Sequence, residues 1–164
     1  MSRNVRVRQD AVKTTSGRTP AGEAFNDVLT YVIRLTRRFT AAGEALAKPA
    51  GQTLARWVVL AGCKDSPASV SDIARRLELA RQSVQRVADL LVREGQCAYL
   101  DNPHHQRAKL LALTGSGRAT LATIEAAQRK WADVLGERIG EDVLREASAD
   151  LATILNALEN AEPS

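Results

Sequence analysis

Between Arg81 and Arg86 the chain sets two arginines, two glutamines and a serine within six residues. A guanidinium can pair with both acceptors of guanine, and a carboxamide with the acceptor and donor of adenine. On one helix, Arg81, Gln82, Ser83, Gln85 and Arg86 would form a polar surface suited to base edges in a major groove. A second polar cluster follows, Asn102-Pro103-His104-His105-Gln106-Arg107, with Lys109 just beyond. An extended arginine fits the negative potential of a narrow minor groove, and Arg107 is placed for that role. Gln106 and Lys109 would touch phosphates or hold the loop. His105 would orient Arg107 or meet the backbone, and its charge could make binding pH-sensitive.

The surrounding pattern supplies elements to position both clusters. Ser69 and Asp72 have capping-box spacing ahead of Ile73 and Leu77, so a short helix is predicted over about Val70 to Leu77. A three-residue turn leads to a longer helix over about Arg81 to Glu94, with Val84, Val87 and Leu91 on its apolar side. Gly95 stands where a left-handed C-terminal cap belongs. Ala80 has no capping oxygen, so the first amides of the longer helix are open to an anion. Two strands, Gln96 to Leu100 and Arg107 to Leu113, flank the polar stretch Asn102 to Gln106. Two strands make a wing rather than a domain core.

Outside this centre the chain reads as helical. Phe25, Val28, Val32, Leu35 and Phe39 recur at three- and four-residue spacing on a helix that starts near Ala21. Lys48 to Gly51 break it, and Thr53 caps the next helix, which Asp65, Ser66 and Pro67 end. After Thr114 and the flexible Gly115 and Gly117, a helix carries Leu121, Ile124, Gln128, Trp131 and Leu135 in register. Beyond Gly140, Val143, Ala147, Leu151, Ile154 and Leu158 repeat the pattern. The first and last helices hold more apolar surface than the small centre can cover, so a homodimer is expected. A two-fold protein also suits a palindromic DNA site.

Composition narrows the class further. The 164 residues are 45% hydrophobic and 26% charged, ordinary for one globular domain, while aromatics make up only 4%. The net charge of +4 is unevenly spread. Residues 1–19 hold five basic residues against Asp10, and residues 119–164 hold nine acidic residues against four basic. The arm at 1–19 is expected to be disordered, and the mildly basic centre to meet phosphates. No apolar run approaches the roughly 20 residues that span a bilayer, so no membrane partner is expected and the cytoplasm is the expected compartment. Cys63 and Cys97 make no disulfide framework, and each reads as a small buried hydrophobe. His104 and His105 lie near Asp101 and Cys97, but adjacent histidines on a strand face opposite ways and paired zinc-ligand spacings are absent. No metal, no other cofactor and no catalysis are expected. The rival reading is a winged-helix module for protein contacts, which would need an apolar face where this chain has Arg81, Gln82, Gln85 and Arg86.

Three stretches, TLARWVVLAG, SVSDIARRLELARQSVQRVADLLVREG and NPHHQRAKLLALTGSG, together resemble the multiple antibiotic resistance regulator (MarR) family of winged helix-turn-helix transcriptional regulators. The resemblance implies a mainly α fold with a small β-hairpin wing and N- and C-terminal dimerisation helices. It implies a single domain over residues 20–164. A DNA-binding lobe would occupy 53–113, and dimerisation helices 20–48 and 114–162. It further implies a homodimeric, ligand-responsive repressor on a pseudo-palindromic operator of double-stranded DNA, released by a small aromatic or phenolic effector. Tyr31, Phe39, Trp57 and Trp131 are candidates to line the effector pocket. Arg107 matches the family's wing arginine. Two departures stand out. His105 replaces the aspartate that often fixes that arginine, and Glu78 replaces a frequent glycine, so the turn at Glu78 is expected to avoid a left-handed residue.

Overall fold

The computed structural model describes residues 17–103 and 108–161. The chain divides into two compact units, residues 1–39 and residues 40–164. The first helix, α1 (Pro20–Ala47), begins in one and ends in the other. Its start is locally determined: the Thr19 hydroxyl accepts the amide of Gly22 at 3.2 Å, and proline takes the first helical position, where it has no amide to lose. Within the first unit, Phe25, Val32, Leu35 and Phe39 of the expected stripe are exposed.

The second unit builds the winged lobe. A 3-10 turn at Lys48–Ala50 and a left-handed Gly51 end α1, as the Lys48 to Gly51 breaker predicts. Thr53 caps α2 (Leu54–Gly62), accepting the Arg56 amide at 3.3 Å. Ser69 caps α3 (Val70–Arg76) in the same way, accepting the Asp72 amide at 3.1 Å. Asp72 returns to the Ser69 hydroxyl at 2.6 Å rather than to its backbone amide. That hydroxyl, aided by Arg75, holds the Asp72 carboxyl below the usual carboxylate range.

The turn after α3 differs from the expectation. Glu78 is left-handed, with φ of 52°. The Leu79 amide reaches the Ala74 carbonyl at 2.9 Å, and this closure of the helix end needs a left-handed residue whichever side chain occupies the position. The next helix, α4 (Arg81–Arg93), has no side-chain cap at Ala80. It ends as predicted: Gly95 is left-handed, and the Gln96 amide meets the Leu91 carbonyl at 2.8 Å.

The sheet has three strands in the order β1-β3-β2. Besides β2 (Cys97–Leu100) and β3 (Leu110–Leu113), a two-residue β1 (Ala68–Ser69) pairs Ala68 with Leu111 and Ser69 with Leu110. It therefore locks the start of α3 to the wing. The β2–β3 ladder runs antiparallel from Cys97 opposite Leu113 to Leu100 opposite Leu110. The described strand begins at Leu110 rather than at Arg107, since Ala108 and Lys109 lie outside the ladder.

Val59 and Leu60 of α2, Ile73 of α3, Val84, Ala88 and Leu91 of α4, and Leu111 of β3 bury themselves against one another. Cys63 and Cys97 join this core as free thiols although 34 positions of sequence separate them, and the Cys63 thiol donates to the Val59 and Leu60 carbonyls at 3.5 Å. The neighbouring Cys97 thiol holds the Cys63 thiol down, while Cys63 and burial push Cys97 up.

Thr114 opens α5 (Gly115–Ile139): its hydroxyl accepts the Gly117 amide at 3.1 Å and donates to the Gly95 carbonyl at 2.7 Å. Gly115 and Gly117 thus lie inside the helix rather than ahead of it. Gly117 is required by close approach, because a Cβ there would stand 2.0 Å from the Gln96 carbonyl oxygen. Gly140, at φ of 98°, separates α5 from α6 (Glu141–Glu159). No residue of α6 is buried; Val143, Leu151, Leu155 and Leu158 of its apolar face are all exposed. No helix among the described residues is long and apolar enough to cross a membrane. The described residues also hold no group of three or more His, Cys, Asp and Glu that could bind a metal ion.

Candidate nucleic-acid interface

The polar face of α4 exists because its other face is committed. Val84, Ala88 and Leu91 are buried, which turns Arg81, Gln82, Ser83 and Arg86 outward. All four are exposed, and among the described residues none of their side chains is held in a hydrogen bond or ion pair. The arginines therefore keep their five-donor forks available. Directly ahead of them lie the amides of the uncapped α4 N-terminus, carrying the positive end of the helix dipole.

Long-range ties link α4 and the elements around it. Arg56 of α2 forms an ion pair with Glu94 at the far end of α4. Arg76 at the end of α3 donates to the Gly62 carbonyl, and Lys64 pairs with Glu125 of α5 at 2.7 Å. These contacts pin α2, α3 and α4 around the shared core, so the exposed face is carried on a rigid frame.

A cleft of about 280 Å³ opens where the wing meets the helix pair, lined by Ser69, Ser71, Arg81, Gln85, Tyr99 and Lys109. Lys109 is exposed at its edge. Two cations and three hydroxyls around one concavity favour an anion of phosphate character.

Gln85 is the exception on this face. It is half-buried, and its carboxamide nitrogen donates to Asp89 Oδ1 at 2.9 Å and to the Tyr99 hydroxyl at 2.8 Å. The Tyr99 hydroxyl donates in turn to Asp89 Oδ1 at 2.8 Å. Burial, and then the Asp89 carboxylate, push the Tyr99 phenol up to about 12, so it keeps its proton at any physiological pH. Sequence reasoning missed Asp89 and Tyr99. The Gln85–Asp89 spacing of four on a helix was an available signal, and Tyr99 on β2 carried none.

Of the wing residues, His105, Gln106 and Arg107 lie outside the described residues; Lys109 is described, as above. The aromatic candidates for an effector site are dispersed in character. Tyr31 and Phe39 are exposed on α1, Trp57 packs half-buried against the core, and Trp131 is half-buried on α5. Besides the wing cleft, a second and largely apolar cavity is lined by Gly136, Glu141, Leu144, Arg145 and Ser148, so neither involves those four aromatics.

The sequence model of the MarR family matches residues 50–108, which take in α2, α3, α4 and β2. The uncharacterised protein Rv2011c of Mycobacterium tuberculosis is 33% identical over 132 residues, covering 80% of this chain and 92% of that protein. The transcriptional activatory protein BadR of Rhodopseudomonas palustris is 28% identical over 72% of this chain and 69% of its own length. The chain belongs to the MarR family. Among solved structures, the transcriptional repressor CouR bound to a 23-mer DNA duplex is similar at 27% identity and a TM-score of 0.72. That similarity covers 85% of this chain and 99% of CouR. The mainly helical MarR fold with its small antiparallel sheet is thus the fold of this chain. It is a transcriptional regulator by family.

Proposed function

We propose that this MarR-family protein binds a pseudo-palindromic double-stranded DNA operator as a homodimer. In this reading each protomer sets the N-terminal half of α4 in the major groove. The lobe over residues 53–113 reads DNA, while the helices over 20–48 and 114–162 carry the dimer. Arg81, Gln82, Ser83, Gln85 and Arg86 meet base edges and nearby phosphates, and Lys109 meets the backbone. His105, Gln106 and Arg107 complete the wing, with Arg107 reaching into the minor groove.

The observation that carries the reading is the outward Arg81 and Arg86, unpaired among the described residues, beside an uncapped helix N-terminus and the Arg81–Lys109 cleft. A protein-docking helix would instead need an apolar exposed surface here, and this one is polar. Dimerisation is supported by the uncovered apolar faces of α1 and α6. Repression is the direction the family resemblance favours, with a small aromatic or phenolic effector releasing the DNA. Such an effector acts only by binding the free and DNA-bound shapes unequally.

Fluorescence anisotropy with the duplex upstream of this protein's own reading frame, against a scrambled duplex at near-physiological salt, tests the proposal. Specific binding about 10³-fold or more above the control is expected. Equal, weak binding to both, together with no motif enriched from random sequence, would overturn it.

A further inference from the structure

The outward side of α4 carries a negative charge that base recognition has to accommodate. In a helix lying along a major groove, side chains at i, i+3, i+4 and i+7 fall on one stripe and reach successive bases. Counted from Gln82, that stripe is Gln82, Gln85, Arg86 and Asp89. Val84, Ala88 and Leu91 are buried on the other side, and Asp89 is exposed together with Gln82 and Arg86. A carboxylate here faces a strongly negative ligand, so its presence calls for a compensating contact.

Asp89 is restrained through one of its oxygens. Oδ1 accepts the Gln85 carboxamide nitrogen at 2.9 Å and the Tyr99 hydroxyl at 2.8 Å. Oδ2 has no partner among the described residues. Arg86 and Arg93 stand three and four positions away on the same helix, yet among the described residues neither forms an ion pair with it. Two donors on Oδ1 thus leave Oδ2 as a free acceptor on a tethered side chain.

A carboxylate offers no donor. In the major groove guanine presents only acceptors, and thymine an acceptor and a methyl group. Adenine sets its amino group beside the N7 acceptor, which repels a charge of the same sign. Cytosine presents its N4 amino group alone. Its edge is the one that matches Oδ2.

We propose that Asp89 is a base-reading residue that selects cytosine at one position of each half-site, Oδ2 accepting from the N4 amino group. This rests on the reading above, that α4 enters the major groove. Tyr99 is a positioning residue: delivered by β2, it restrains Oδ1 and touches no base. At any other base the same charge is left against acceptors without a partner, so Asp89 acts by exclusion as well as by attraction.

Random-sequence selection with the full chain and with Asp89→Ala locates the position. One base of the motif should be cytosine with the native chain and unrestricted with the variant, which keeps the fold because Asp89 is exposed. At that position 2-pyrimidinone, which is cytosine without its amino group, should weaken binding of the native chain about tenfold beyond any loss seen with Asp89→Ala. Gln85→Ala should retain the cytosine, which separates direct reading from an effect relayed through Gln85. A base other than cytosine, identical motifs for the native chain and Asp89→Ala, equal 2-pyrimidinone losses in the two, or loss of the cytosine in Gln85→Ala would each overturn the inference while leaving specific DNA binding intact. Enrichment of no motif by the native chain would overturn both together.

Discussion

The winged lobe and the last helix begin from the same sequence pattern and end in opposite states. Apolar residues recur at helical spacing in α4 and in α6 alike. Yet Val84, Ala88 and Leu91 of α4 are buried, whereas no residue of α6 is. The difference lies in what stands opposite. Around α4 the short elements α2, α3, β2 and β3 close a core from several directions, and the apolar side is consumed within the chain. Among the described residues, nothing of comparable area covers the face of α6. A pattern of periodicity thus predicts that a face will be covered but leaves open whether by the same chain or a second one.

The largest expected effect separates the two regions directly. Leu91→Ala in the lobe should cost ~2–5 kcal/mol by urea denaturation, the range for deleting a fully buried leucine. Leu155→Ala on the exposed face of α6 should fall within about 0.5 kcal/mol for the folded chain at dilute concentration, where only surface is changed. Leu155 would instead register in sedimentation, where Leu155→Glu should shift the protein toward monomer. Equal stability losses at the two leucines would erase the contrast.

Gly117→Ala comes next, at roughly 3 kcal/mol, because the new methyl would collide with the Gln96 backbone and must push α5 away from the wing. A thermal melt indistinguishable from that of the native chain would mean that this junction yields more easily than its geometry suggests. Arg107→Ala probes function rather than folding. Specific affinity should fall by ~1–3 kcal/mol with the melting temperature unchanged. Unchanged affinity would remove the wing arginine from the interface.

The smallest effect is a titration. With Tyr31→Phe leaving Tyr99 as the remaining tyrosine, alkaline absorbance should show a midpoint near 12. An unfolded phenol titrates at about 10, so below that pH both states hold the proton and nothing is lost. Above it the unfolded chain releases its proton first, and folding stability falls as pH rises toward the folded value. Removing the neighbouring charge with Asp89→Asn should lower the midpoint; a midpoint unmoved by that change would leave burial as the sole cause.

Local features were read correctly where donor and acceptor lie a few residues apart. Thr53, Ser69 and Gly95 cap as their types predict, since each bond closes within one turn of chain. Glu78 was misread because helix closure imposed the left-handed conformation on a residue that does not advertise it. The two-residue β1 escaped notice because so short a strand has no alternation to detect. Gly117 looked like flexibility and proved to be clearance. Nothing in the spacing of Cys63 and Cys97 says that the fold buries both in one core.

Amino-acid order alone therefore determined the helix pair, its caps, the outward Arg81, Gln82, Ser83 and Arg86 and the apolar stripes, since these depend on periodicity and on bonds spanning four or five residues. Tertiary structure decided which stripes found partners within the chain, and it bound Gln85 to Asp89 and Tyr99. The physical reason is range. Which side chain keeps a free donor depends on groups delivered by another element, and no local pattern records what a distant strand will carry into contact.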